Sequence, residues 1–510
     1  MMPSVPLRLA FAAALLAAPT AAVAADADYA VWGDLRGAGQ QLAPFDLGAD
    51  GGRHPATAWA QTRAIVGSRA RLAAALVAEL ELEALNGWAG GDRETLGLQA
   101  DKRPFIVPRD GGGDLGRVLP RRANLSLTTS IGQLSAGVQN FGWGTGILAN
   151  DGAGAQQVAG PQFGDSWLGG SVARLVFATR PWHDSDRPLL RGLAVFAALD
   201  AVVRDDNAHW HEGDRAYAAL AGARAQDSDT QLGALLVLRH QTDRADARRI
   251  DGSLATTTVA VVDLHARSRW ALGPTRSWVA ETELAIVTGT TTRAQGELTF
   301  ADGAAVRQLG WLGRARWDAD DLQVAVHAEL GYASGDNDPR DATARTFAMH
   351  TDHNVGLVLF DHVLPLLSAR SADRLTDQGL LAVPPPSLRF AVQQGAVQNA
   401  IYAHPVVRWR PAEPVELRIG YLLAAPAAQV ADPYQTALNG GYPLDAAKRS
   451  ADWGTYGHEF DARAAVRVPL AGGVALRLCA EAGVLLPSEA LQAVIGQSPW
   501  TARASAALTW

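Results

Sequence analysis

Three successive segments between Tyr456 and Trp510 alternate apolar and polar residues, and a period of two restricts them to β-strands whose two faces meet different environments. In Thr501 to Trp510, the residues Ala502, Ala504, Ala506, Leu508 and Trp510 share one face, and Arg503, Ser505 and Thr509 fall on the other. Phe460, Ala462, Ala464, Val466 and Val468 alternate in the same way with Glu459, Asp461, Arg463 and Arg467. After Ala471-Gly472-Gly473 the pattern resumes, with Leu476, Leu478, Ala480, Ala482 and Val484 against Arg477, Cys479 and Glu481. A soluble sandwich with one wet face also fits such alternation. Strand length, loop asymmetry, tryptophan placement and the amino terminus therefore have to decide.

Trp278, Ala280, Thr282, Leu284 and Ile286 alternate with Glu281 and Glu283; Leu322, Val324, Val326, Ala328, Leu330 and Tyr332 alternate with Gln323, His327 and Glu329. Each run covers roughly ten residues, the length a tilted strand needs to cross a bilayer, whereas strands of soluble proteins run about five or six. Connections also alternate in length, as they do in transmembrane barrels with short periplasmic turns and long external loops. The short ones fall near Gly67, at Gly132-Gln133, Pro181 to Pro188, Ala225 to Asp229, Leu272 to Thr275, Asp318 to Asp321, Pro411 to Pro414 and Gly472-Gly473. Between them lie residues 86–121, 142–169, 204–213, 240–254, 289–305, 334–398, 426–455 and 487–499, which belong outside. A further strand at Tyr29 to Leu35 completes the parity. The expected fold is all-β, a closed antiparallel transmembrane β-barrel of about 18 strands, with about 16 the next choice. Trp182, Trp270, Trp278, Trp317 and Trp409 all sit beside proposed short turns, where an amphipathic ring at headgroup level is expected.

Composition excludes the main rivals. No internal run of apolar residues reaches the length of a helical span, and with 48% hydrophobic residues the chain is not disordered. At the amino terminus Arg8 precedes an apolar run from Leu9 to Ala18, then Pro19 and the small residues Ala22 to Ala25, which reads as a cleaved secretory signal. Residues 1–24 are the expected leader and 25–510 a single barrel domain; losing Arg8 takes the formal charge from -7 to -8. The lone Cys479 excludes an intramolecular disulfide framework.

Gly132 to Gly154, with Gly137-Val138-Gln139-Asn140-Phe141-Gly142-Trp143-Gly144-Thr145-Gly146 and Asn150-Asp151-Gly152, resembles a signature of uncharacterised delta-proteobacterial outer-membrane proteins. It is also distantly similar to the alginate-export porins, in which a strand with a Gly-Arg-Gln element leads into a conserved loop. Here Val138-Gln139 stands in place of the arginine-bearing form, so that charge does not carry over. Gly331 to Asp336 followed by Asn337-Asp338-Pro339 is a second likeness. The resemblance implies a porin surrounded by outer-membrane lipid and lipopolysaccharide. It further implies that the last strand, ending at Trp510, belongs to the signal read by the barrel-insertion machinery. By analogy with general porins, the third external connection folds inward as a constriction loop carrying Phe141, Trp143, Asn150 and Asp151; a glycine-rich surface loop fits the same residues.

If the apolar set meets lipid, the other set lines the lumen. It contains Arg314, Arg316, Arg408, Arg410, Arg418, Arg463, Arg467, Arg477 and Arg503, with Glu281, Glu283 and Glu329 among them. Glu79, Glu81 and Glu83 form an acidic row on the second strand from the start, which closure of the barrel places beside the basic later strands. Two readings compete: the arginines draw anionic solutes into a low-dielectric frame, or the charges mainly satisfy one another across strands. Asp336, Asp338, Asp341 and Asp352 read as solvated loop acids rather than a calcium site, and His209/His211 and His350/His353 as exposed loop histidines. Neither a Gly-x-Ser-x-Gly nor a His-Glu-x-x-His element is present. The expectation is a non-enzymatic channel for passive diffusion of small hydrophilic solutes, anionic on the first reading, with no cofactor, metal or nucleic acid. A plugged structural or adhesive barrel and an outer-membrane hydrolase are the alternatives.

Overall fold

The computed structural model describes residues 29–50, 52–96, 105–107, 115, 117–152, 162–166, 169–244, 253–293, 303–338, 341–376, 393, 395–440, 442–450 and 454–510. The expected leader at residues 1–24 lies outside the described residues.

The strands of the barrel run β1 Tyr29–Leu42, β2 Thr57–Ala73, β3 Leu76–Gly91, β4 Leu119–Thr128, β5 Gln133–Gln139 and β6 Ser171–Thr179. They continue as β7 Ala194–Arg204, β8 Arg215–Gln226, β9 Thr230–Thr242, β10 Thr256–Ala271, β11 Arg276–Thr291 and β12 Ala304–Ala319. The last third holds β13 Val324–Ala333, β14 Ala400–Ala412, β15 Val415–Ala425, β16 Gly457–Pro469, β17 Ala475–Pro487 and β18 Trp500–Thr509. Each pairs antiparallel with its sequence neighbours, and β1 closes the ring on β18 from Asp34↔Thr509 to Leu42↔Thr501. The sheet contains 19 strands because the two-residue Thr343–Ala344 adds parallel to β12; the barrel itself has 18. Closure matters energetically: with no edge, each spanning strand has a hydrogen-bonding neighbour on both sides.

The outer face carries the apolar half of the alternation. Leu199, Leu238 and Ile419 are 62%, 53% and 69% exposed, a surface that only hydrocarbon makes favourable. Trp270, Trp278 and Trp317 stand in register across β10, β11 and β12 beside the short turns, and Trp270, Trp278 and Trp409 are exposed on the outside. They form the aromatic girdle expected at one interface.

Three expectations need correction. The first short turn is not near Gly67 but at Ala74-Ala75, so β2 is longer than the sequence suggested. Gly67 instead lies inside β2, where an added Cβ would sit 2.1 Å from the indole of Trp32. The first strand extends beyond Leu35 to Leu42, and the acidic row Glu79, Glu81 and Glu83 belongs to β3, the third strand.

The hydrophobic core lies inside the cylinder. Ile147 and Phe163 from the β5–β6 connection, and Phe347, Met349, Val355 and Leu357 to Phe360 from the β13–β14 connection, are all buried there. They pack on inward side chains of the wall, among them Val261, Val287, Val306 and Leu422. A helix, α1 at Leu364–Thr376, follows, and its Leu364 and Leu366 share the cluster with Phe45, Leu491, Val494 and Ile495 of the external connections.

Candidate pore and its constriction

The charged half of the alternation points inward and is organised into local networks. On β3, Glu83 takes Arg63 of β2 at 2.7 Å and Arg121 of β4 at 3.0 Å. Glu81 accepts from Arg121 and from the Trp32 indole, and Glu79 pairs with Arg122. The early acids are therefore neutralised by Arg63, Arg121 and Arg122 on their own neighbours, not by the arginines of the last strands. Sequence reading missed Arg63 because the misplaced turn at Gly67 blurred the faces of β2, and Arg121 and Arg122 because the expected connection runs to residue 121 although β4 starts at Leu119, where the register on β3 also shifts. It also missed Arg174 and Asp200, a bidentate pair across β6 and β7 at 2.8 and 2.7 Å.

Among the later strands Arg314 pairs with Glu329, and Glu329 also accepts from the Tyr402 hydroxyl at 2.7 Å. Arg316 and Arg408 share Asp318, Arg410 and Arg418 share Glu416, and Arg463 and Arg503 share Glu481. Glu281 meets His265 at 3.0 Å. Among the described residues, Arg467 and Arg477 are in no ion pair. The register sets several of these cations directly opposite one another: Arg408 against Arg418, Arg418 against Arg463, and Arg467 against Arg477. Like charges opposite on one sheet face are destabilising, and Asp318, Glu416 and Glu481 offset that at Arg408, Arg418 and Arg463.

Glu283 has a different role. It is fully buried, and its Oε2 accepts from the backbone N–H and, at 2.6 Å, the hydroxyl of Thr145, and from the N–H of Gly146 at 3.1 Å. Gly144 lies against the same carboxylate at φ +56°, where an added Cβ would come 2.4 Å from Oε2, so only glycine fits. On the neighbouring strand Asp263 accepts from the Trp143 indole at 2.9 Å. Phe141 stacks beside Trp143 and under the Arg174 guanidinium, and Asn150 closes the turn by accepting from Gly152. The Asp151 carbonyl accepts from Arg121 at 2.5 Å. The Phe141 to Asp151 segment thus folds into the barrel and is held at mid-height on the wall.

The second inserted segment is pinned too. The carboxylate of Glu459 accepts from the backbone N–H groups of Leu357, Val358 and Leu359, and His353 reaches Tyr402 at 3.0 Å and Glu329 at 3.3 Å. His350 and His353 are buried rather than exposed. His350 donates its N–H to the Ile147 carbonyl, tying the two insertions together. Among the loop acids, Asp336 and Asp341 pair with Arg345 and Asp352 accepts from Gly169, and no metal-binding group of three appears among the described residues. Residues 153–161, also in the β5–β6 connection, lie outside the described residues.

Three cavities follow one another between the long-loop end and the short-turn end. The outer one, of about 680 Å³, is lined by Phe141 and Leu148 to Asn150 together with Leu235, Val237, Val259, Val261, Val287 and Val306 of the wall. The middle one, of about 320 Å³, is lined by Gly142 to Thr145, Asp151, Glu281, Arg314 and Glu329. The inner one, of about 540 Å³, lies at the short turns and takes Arg36, Arg316, Arg408, Arg410, Arg418, Arg463, Arg467 and Arg477 against Asp165, Glu413 and Glu416. The segment 141–151 stands between the outer two cavities, giving Phe141 and Leu148 to Asn150 to the outer one and Gly142 to Thr145 and Asp151 to the middle one. Gln162, Arg316 and His327 are common to the middle and inner ones. Burial works against the charged form of Asp165, but the guanidinium groups of Arg503, Arg36 and Arg463 outweigh it and hold the carboxyl below its ordinary range.

A closed 18-strand antiparallel cylinder, apolar outside with an aromatic girdle, short turns at one end and long loops at the other, defines a Gram-negative outer-membrane β-barrel. No family model and no curated protein matches the chain, so the likeness to the delta-proteobacterial and alginate-export families rests on the quoted segments alone. Among solved structures, the barrel is similar to OccK2 (OpdF) of Pseudomonas aeruginosa, with 10% identity over 95% of this chain and 97% of that one and a TM-score of 0.52. OccAB2 of Acinetobacter baumannii is similar too, at 9% identity over 96% of this chain and 99% of that one, with a TM-score of 0.51. At such identities the likeness is one of fold.

Proposed function

We propose that the protein is a porin-like channel through which small hydrophilic solutes cross the outer membrane down their gradient, with a mild preference for anions. The supporting observation is the row of arginines facing the inner cavity, Arg408, Arg418 and Arg463 across three adjacent strands with Arg467 opposite Arg477. Guanidinium groups held opposite one another in a low-dielectric frame lower the cost of bringing in a carboxylate or phosphate. The preference is mild because Glu416, Asp318 and Glu481 compensate part of the charge. Phe141, Trp143, Asn150 and Asp151 set the size limit, and Arg314, Glu281, Glu283 and Glu329 line or support the middle section. No bond is broken and no cofactor takes part. Lipid and lipopolysaccharide surround the barrel, and the strand ending at Trp510 is its address to the insertion machinery.

The reversal potential of the purified protein in a planar bilayer under a potassium chloride gradient tests this reading: chloride should permeate more readily than potassium, and the opposite order refutes the preference. The buried insertion around Leu357 to Phe360 favours a second reading, a barrel plugged from the β13–β14 connection. That reading requires silence in single-channel recordings until the connection is deleted, whereas the channel reading requires steady conductance from the intact chain.

A further inference from the structure

The short segment 162–166 runs through the basic region of the lumen and takes positions there that suit an anion. Its Gln162 carbonyl accepts from Arg418 at 2.8 Å and from Arg463 at 3.3 Å, bridging two guanidinium groups on neighbouring strands. Three residues on, the Asp165 carboxylate accepts from Arg503 at 2.6 Å. The main chain is bound on both sides: Gly164 donates to Glu481 at 3.1 Å and the Ser166 carbonyl accepts from Arg63 at 3.1 Å. Between them Phe163, 1% exposed, is seated over Gly420, where a Cβ would come 2.5 Å from its ring.

Two features make this contact replaceable. Arg418 and Arg463 each keep a carboxylate of the wall, Glu416 and Glu481, and Arg503 also reaches Glu481, so the segment's oxygens are additional partners rather than sole ones. An arriving carboxylate offers acceptor oxygens to the same guanidinium groups, so one set of charge-assisted bonds is exchanged for another. A tethered group competes at an effective concentration on the order of millimolar. A free solute must reach at least that concentration to take its place, because the buried Phe163 and the two main-chain bonds also hold the segment.

We propose that segment 162–166 is a built-in pseudo-ligand: the Gln162 carbonyl and the Asp165 carboxylate occupy a carboxylate subsite formed by Arg418, Arg463 and Arg503, and a carboxylate-bearing solute displaces them in passing. The inference rests on the anion-preferring channel proposed above and names the atoms at which the solute is held.

Succinate serves as the probe, read by the concentration at which it halves the chloride current of single channels in planar bilayers. Asp165→Asn removes the competing charge, and Phe163→Ala unseats the segment while keeping Asp165. Both variants should bring the half-effect concentration down about tenfold from the millimolar range of the unaltered protein. Shifted migration of unheated samples in denaturing gels reports that each barrel has folded, and if one variant does not fold the other decides. Unchanged succinate dependence in the folded variants, within twofold, overturns the proposal, as does a current indifferent to succinate. A shift with Asp165→Asn alone, when both variants fold, overturns displacement of the segment. The reversal potential separates the two levels: chloride preference with unchanged succinate dependence sinks the pseudo-ligand and leaves the channel standing. Potassium preference removes the anion reading, while the succinate shift still judges the subsite.

Discussion

Replacing Glu283 by alanine is the sharpest way to release the inward-folded segment 141–151, because one carboxylate oxygen holds it at three donors. Oε2 accepts from the N–H and hydroxyl of Thr145 and the N–H of Gly146. A hydrogen bond contributes about 0.5–1.5 kcal/mol net, and a donor left buried without a partner costs about 1–3 kcal/mol. In a hydrated lumen the hydroxyl and one amide find water, so the net loss is about 2–3 kcal/mol for the seated state. At about 1.4 kcal/mol per factor of ten, that lowers the ratio of seated to released segment roughly thirty- to hundredfold. Glu283→Ala should raise single-channel conductance, add flicker and speed amide exchange over residues 142–150. Glu283→Gln keeps an acceptor oxygen at the same place and should fall between. Conductance levels, current noise and amide protection indistinguishable from those of the unaltered protein would refute both the anchoring by this carboxylate and the proposed role of the segment as a constriction.

Gly67→Ala drives a methyl group into the Trp32 ring and breaks the indole bond to Glu81 at 3.1 Å. A cost of about 1–3 kcal/mol should lower the temperature at which the folded form is lost in heat-modifiability gels, and Trp32→Ala in the same chain should restore it; a wild-type midpoint for the single change counts against the packing argument. At the external end, burial opposes ionisation of Asp205, but the Arg239 guanidinium beside it and the N–H groups of Asn207 and Ala208 hold its carboxyl at about 2. A depressed carboxyl contributes stability that is complete above its ordinary value and is lost as pH falls through its folded one, so the window is about pH 4 to 2. Pepsin cleavage within residues 205–214 should rise across that window, and Asp205→Asn should be cleaved at pH 4 already; equal cleavage at both pH values in the unaltered protein refutes this.

The later strands were legible because their environment differs across the wall. Along Phe460 to Val468 and Ala502 to Trp510 every second residue meets lipid, and each charge between them points inward, where Arg463 and Arg503 are indeed found. The upper parts of β9 to β12 were harder to read. Val259 and Val261 face the interior while Ala260 and Val262 face lipid, so both faces are apolar and the period disappears. The reason is the inserted segments, whose Ile147 and Phe347 require an apolar wall at that height. Gly67 misled for a related cause: glycine signals a turn in local terms, but here it makes room for a ring from the adjacent strand.

Strand period, connection lengths and girdle tryptophans are local quantities, and for that reason the sequence alone determined an antiparallel cylinder of about this size and which side chains of its later strands face inward. Partners in the lumen are not local. Glu283 and the amides of Thr145 and Gly146 are 138 and 137 residues apart, and Asp165 and Arg503 are 338 apart. Only ring closure and the inward course of two connections bring such groups together. Whether an inward charge lines water, pairs with a neighbour or holds a loop depends on what fills the space in front of it, and only the tertiary structure decided that.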